Sequence, residues 1–129
     1  MTLRIVRLGA ERAPDEGLRI GTVRRPPRGV RKVDYASKNI YDVWFPNLSP
    51  SEPLLKAFFP VADEVAWGRF KRRFRAEMKA PPASKDLDLL AALSHQTNFS
   101  IGCYCAEEKH CHRSILRELL NQRGADLAD

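Results

Sequence analysis

The chain opens on an alternating pattern. Across residues 3–8, Leu3, Ile5 and Leu8 are interleaved with Arg4 and Arg7, the period of a half-buried strand. A polar connection with Pro14 and Gly17 follows. Residues 18–24 (Leu-Arg-Ile-Gly-Thr-Val-Arg) predict a second strand, which Pro26, Pro27 and Gly29 break into a loop. Residues 41–45 are aromatic and β-branched and predict a third strand, stopped by Pro46. Residues 47–51 form a turn into a helix, with Ser51 as N-cap and Glu52 and Pro53 in the first turn. The clearest helix covers residues 61–80. Trp67, Phe70, Phe74 and Met78 recur at spacings of three and four, with Asp63 and Glu64 near the start and basic residues near the end. Pro81 and Pro82 close it. Ser84 is expected to cap a third helix carrying Leu87, Leu90 and Leu93. Residues 99–105 (Phe-Ser-Ile-Gly-Cys-Tyr-Cys) lack charge and predict a buried strand. A charged loop, 106–110, leads to a last helix that starts near Cys111, buries Ile115, Leu116, Leu119 and Leu120, and ends at Gly124. The order βββαααβα predicts one α/β domain over residues 1–129. Its sheet is mixed or mostly parallel, because three consecutive helices give ample crossover length.

Composition narrows the class. With 129 residues, 43% of them hydrophobic and 29% charged, the chain can bury one core. No apolar run approaches the roughly 20 residues of a membrane helix, and the N-terminal segment lacks the apolar stretch of a secretory signal. The three cysteines fall between positions 103 and 111, an odd count that argues for reduced thiols. The expectation is a cytoplasmic protein without a membrane partner.

The net charge of +6 is unevenly placed. The first 40 residues hold ten Lys/Arg against four Asp/Glu, and the remainder balances. The excess is densest at Arg24, Arg25, Arg28, Arg31 and Lys32, around a stiff Pro-Pro-Arg-Gly turn suited to holding an anion. A second cluster, Arg69, Lys71, Arg72, Arg73, Arg75 and Lys79, occupies the polar side of the 61–80 helix and reads as a solvated face.

Candidate chemistry concentrates at 99–113. A strand end, a short loop and a helix start at Cys111-His112-Arg113 form a natural anion site, since the helix N-terminus offers free N–H groups and a partial positive charge. The same field activates a thiol. In this reading Cys105 or Cys111 is the nucleophile or redox thiol, and Glu107 or His112 handles protons. Arg113, with Arg28 and Arg25 from the basic loop, holds an anionic small molecule or nucleotide. A metal reading competes: Cys103, Cys105, Cys111 and His112 form a Cys₃His set suited to zinc or iron. Its spacing is irregular, because adjacent Cys111 and His112 would diverge by roughly 100° on a helix. A third reading is a nucleic-acid-binding module using both basic clusters. A phosphatase-type loop, Cys, five residues and Arg, is absent from the sequence, since seven residues separate Cys105 from Arg113 and one separates Cys111 from it.

Several segments resemble a known family in order. Cys105-Ala-Glu-Glu-Lys-His-Cys-His-Arg113 is similar to the C-terminal signature of the bacterial domain-of-unknown-function 488 family, whose better-known branch is called YeaO-like. Arg25-Pro26-Pro27-Arg28-Gly29-Val30 resembles its Pro-Arg-Gly loop. Leu48-Ser49-Pro50-Ser51 resembles its Leu-Ala-Pro-Ser turn, and the segment from Trp67 to Met78 its Trp-x-x-Phe helix. The branch's Asp-Arg-Leu-Trp before the Pro-Arg-Gly is replaced here by Val23-Arg24-Arg25-Pro26, and Cys103 is additional to the shared signature. The resemblance implies a compact α/β domain with a site near the C-terminal strand, and no particular activity.

Overall fold

The structure is a computed structural model, and it describes residues 1–128. Four strands, β1 (Leu3–Arg7), β2 (Leu18–Gly21), β3 (Val43–Trp44) and β4 (Phe99–Cys103), form one sheet in the order β1-β4-β2-β3. Every pairing is parallel. The last strand is thus inserted between the first two, with Leu3 and Leu18 both opposite Phe99. Its uncharged sequence fits that central place, and all five of its residues are buried. Between β3 and β4 run α1 (Glu52–Phe58), α2 (Glu64–Lys79) and α3 (Ala83–Leu93); α4 (His112–Gln122) follows β4.

The helices start where local chemistry satisfies their free amides. The Ser51 hydroxyl accepts from Leu54 N at the head of α1, and the Asp63 carboxylate accepts from Ala66 N at the head of α2. Glu77 of α2 accepts from both the amide and the hydroxyl of Ser51, which joins the two helices. Trp67, Phe70, Phe74 and Met78 form the buried stripe of α2, and Phe70 stacks on both Trp67 and Phe74. Ile115, Leu116, Leu119 and Leu120 bury the apolar face of α4. Gly124, just beyond it, takes the left-handed conformation (φ 77°) that favours glycine after a helix.

The element order is as expected, and several boundaries move. The second strand stops at Gly21, where a Cβ would lie 2.3 Å from the Tyr41 ring, so the close approach of that ring requires glycine. The third strand is two residues long. The fourth ends at Cys103, so Tyr104 and Cys105 already belong to the loop. The third helix starts at Ala83 after Pro82, with Ser84 inside it and no side-chain cap.

One buried network was not expected. Arg19 in β2 is 0% exposed. Its Nε donates to Glu16 Oε2 (2.7 Å) and its Nη2 to Glu16 Oε1 (3.0 Å). Its Nη1 donates to the carbonyls of Ala10 and Asn39. Ser100 of β4 donates to Glu16 Oε2 (2.7 Å), and Asp42 accepts from the Arg19 amide (2.8 Å) while pairing with Arg12. Burial would raise the Glu16 pKa, but the Arg19 and Ser100 hydrogen bonds outweigh it and hold the carboxyl below its usual range. The network ties β2 to β4 at the Arg19–Ser100 pair, near the amino ends of both strands, and to the loops beside them.

Candidate functional site

Beyond the carboxyl ends of β2 and β4 lies a cleft of about 480 Å³. One wall is the loop from Val23 to Arg28, another is Pro50, Leu55 and Phe59, and the inner end is Cys103, Tyr104, Cys105 and His112. Parallel α/β sheets place ligands at this end of their strands. The walls are mostly apolar, with arginines at the rim.

The three rim arginines differ. Arg24 donates to the carbonyls of Pro46, Ser49 and Pro50, so it fastens the loop to the turn before α1. Arg25 is exposed and paired with Glu52 of α1. Arg28 is exposed and has no ion pair or hydrogen bond with the described residues. Tyr104 donates its hydroxyl to the Arg25 carbonyl (3.3 Å), which joins the loop to the end of β4. Trp44 supports the same loop through its indole N–H on the Val23 carbonyl (2.8 Å).

At the inner end the sulfurs of Cys103 and Cys105 are 3.7 Å apart. Cys111 Sγ is 3.8 Å from His112 Nδ1. The sulfurs of Cys103 and Cys111 and a ring nitrogen of His112 all lie within 4.8 Å of one another. Cys111 is the N-cap of α4, with extended backbone (φ −118°, ψ 148°), rather than its first helical residue. The divergence expected for neighbours on a helix therefore does not arise, and Cys111 and His112 turn toward a common point. His112 Nε2 is 2.6 Å from the Thr22 carbonyl. A carbonyl only accepts, so Nε2 carries a proton, and in the neutral ring it is the Nδ1 lone pair that faces Cys111. Thr22 in turn bonds the Gly102 carbonyl through its amide and its hydroxyl. Phe74 meets the His112 ring edge-on at 5.7 Å.

The thiols have unequal acidity. Hydrogen bonds from Cys103 and Cys105 hold Cys111 below the usual thiol range, against burial. Cys103 is pushed up by its hydrogen bonds to Cys105 and Cys111 and by burial. The Cys103 bond draws Cys105 down, but Cys111 and burial outweigh it and leave Cys105 raised.

The sequence-predicted residues part company here. Cys105, His112, Arg25 and Arg28 line the cleft together with Cys103. Cys111 is 0% exposed and sits behind them, so it is not an open nucleophile. Glu107 is exposed in the loop and does not line the cleft. Arg113, expected to hold the anion, is 4% exposed and does not line the cleft: its Nη2 donates to the Cys105 carbonyl (2.8 Å), and its Nε has no partner among the described residues. Neighbouring Glu108 forms a bidentate pair with Arg117 (2.6 and 2.9 Å) and holds the 106–110 loop to α4. In the second basic cluster, Lys71 and Arg75 pair with Glu118, and Arg73 lies over the Phe58 ring. The aromatic residues between them are buried and offer no stacking surface. Thr22 and Tyr104 were not expected, and Arg24, expected to hold an anion with the rest of the basic loop, is instead spent on the Pro46, Ser49 and Pro50 carbonyls. Nothing local distinguishes a Thr one residue beyond a strand, and the tasks of Tyr104 and Arg24 depend on distant carbonyls.

Together the fold and its inner cluster define a small parallel α/β domain with a thiol–imidazole centre at the carboxyl end of the sheet. The chain belongs to the domain-of-unknown-function 488 family. The family profile described as "Active DUF488-N3 subclade" matches residues 3–124, and the YeaO-like resemblance is consistent with it. No curated protein and no solved structure matches the chain. No helix among the described residues is long and apolar enough to cross a membrane.

Proposed function

We propose that this protein binds an anionic small molecule of nucleotide size in the cleft and transforms it at the inner, sulfur-lined end. The observation that carries the reading is the convergence, in one cleft, of the Arg25–Arg28 rim with Cys103, Cys105 and His112. These groups come from segments about 80 residues apart in sequence. The volume suits a small ligand. The anionic end of the ligand meets Arg28, whose guanidinium is free of ion pairs with the described residues, and Arg25, which exchanges Glu52 for the ligand. The body packs against Pro27, Leu55 and Phe59. The far end reaches Cys105, the most accessible of the three thiols. The description of the matching subclade as active agrees with chemistry there.

An aromatic sulfonate, 1-anilinonaphthalene-8-sulfonate, has the required apolar body and anionic head. Its fluorescence should rise on the folded protein, and adenosine 5′-monophosphate should displace it more effectively than adenosine. Arg28→Gln should weaken sulfonate binding by about tenfold, since a charge-assisted contact at an exposed rim contributes about 1.5 kcal/mol. Equal binding by wild type and Arg28→Gln, with fold intact by circular dichroism, would refute the reading.

A further inference from the structure

We infer that Cys103, Cys111 and His112 form a binding site for a thiophilic divalent cation of the zinc type, with an open coordination position toward the cleft. Four observations support it.

The first is geometry. In a tetrahedral site with metal–sulfur bonds of about 2.3 Å and metal–nitrogen bonds of about 2.0–2.1 Å, sulfurs lie about 3.8 Å apart and sulfur lies about 3.6 Å from nitrogen. Cys111 Sγ and His112 Nδ1 are 3.8 Å apart, and the three donor atoms lie within 4.8 Å of one another. Shortening of any donor–donor distance by at most about 1.2 Å closes the set.

Packed thiols alone could show such spacing, so the second observation matters more. The Thr22 carbonyl holds the Nε2 proton of His112 and leaves the Nδ1 lone pair turned toward the sulfurs. A backbone acceptor on the distal ring nitrogen is the usual outer-shell support of a metal-bound histidine, because it fixes both tautomer and ring orientation. Phe74 packs against the same ring and restricts its rotation.

Third, the charge balances. Two thiolates and a neutral imidazole around a divalent cation sum to zero, which suits a buried position; all three residues are buried. Each thiol that binds as thiolate gives its proton to solvent. Fourth, the site has a route of entry, because Cys103 and His112 also line the cleft. Three protein ligands and an open side are the arrangement of catalytic, rather than structural, zinc sites. Cys105, with its sulfur 3.7 Å from that of Cys103, stands beside the open position, where a ligand's far end would meet the metal.

The inference rests on the donor cluster and not on the arginine rim, so the two readings fail separately. The test is titration of the reduced full chain, stripped with a chelator, with cobalt(II). One equivalent should produce near-ultraviolet thiolate-to-cobalt absorption and the visible bands of four-coordinate cobalt, and zinc should abolish both. His112→Gln and Cys111→Ser should each weaken binding by more than the roughly 10–100-fold typical of an outer-shell loss. Cys105→Ser should keep a stoichiometry of one. Absence of the charge-transfer band in wild type would overturn the inference. So would undiminished binding in His112→Gln, a variant that remains informative if Cys111→Ser does not fold.

Discussion

Replacing Glu16 with glutamine tests the buried ionic network that joins β2 to β4. Arg19 is fully buried, and Glu16 receives two of its four side-chain hydrogen bonds, at 2.7 and 3.0 Å, plus one from Ser100. The glutamine side chain would keep one carbonyl oxygen and would place an amide N–H₂ against the guanidinium. The substitution therefore leaves a buried cation without its counter-charge. Breaking a buried pair on one side costs about 3–5 kcal/mol. A domain of this size has a stability of about 5–15 kcal/mol, so the loss is a large fraction of the whole. Urea denaturation followed by circular dichroism should show the midpoint falling with the m-value unchanged. The double variant Glu16→Met with Arg19→Met should recover much of the loss, because neither charge then remains buried. A Glu16→Gln loss below about 1 kcal/mol would refute the reasoning, since it would mean that Arg19 is solvated or paired elsewhere.

Two further expectations follow from the same geometry. Glu16 and Asp42 both have pKa values held below the usual carboxylate range; in each, burial is outweighed by arginine pairing. Their contribution is therefore full above the unfolded-state carboxylate pKa and is lost as pH falls through the lowered folded values. Stability measured from neutral pH downward should stay level and then drop in acid, and Glu16→Gln should flatten that drop; an unchanged acid limb would contradict the assignment. Among the thiols of the metal-free protein, iodoacetamide should modify Cys105 first, because Cys103 and Cys111 are buried. Peptide mapping that found Cys111 modified first would show that the inner end opens more readily than its packing implies.

Much of this organisation was legible in the chain because it rests on short-range periodicity. The α2 stripe from Trp67 to Met78 and the strand–loop–helix around the cysteines each lie within one continuous segment. What was not legible depends on distant partners. Arg19 looks like an outward strand residue until Ser100 and the Ala10 and Asn39 carbonyls surround it, while Leu18 beside it is exposed. By pattern Cys111 belongs to the helix, and its one residue of extended backbone removes the geometric objection to a shared Cys–His centre. Arg113 carries the pattern of an anion fork, yet the fold directs it to the Cys105 carbonyl, and Arg28 from the far loop is left at the rim instead. The family match covers nearly the whole chain and shows membership, while the site is assembled by the fold from distant segments.

The inner end of the cleft is where the central claim meets its most direct test. Crystals of the reduced protein grown with one equivalent of zinc, measured on both sides of the zinc absorption edge, locate the metal without reference to any activity. A single anomalous peak bonded to Cys103 Sγ, Cys111 Sγ and His112 Nδ1, with its fourth side open to the cleft, is the predicted result. Zinc found only on surface carboxylates or surface histidines, with the three donors unchanged, would contradict it.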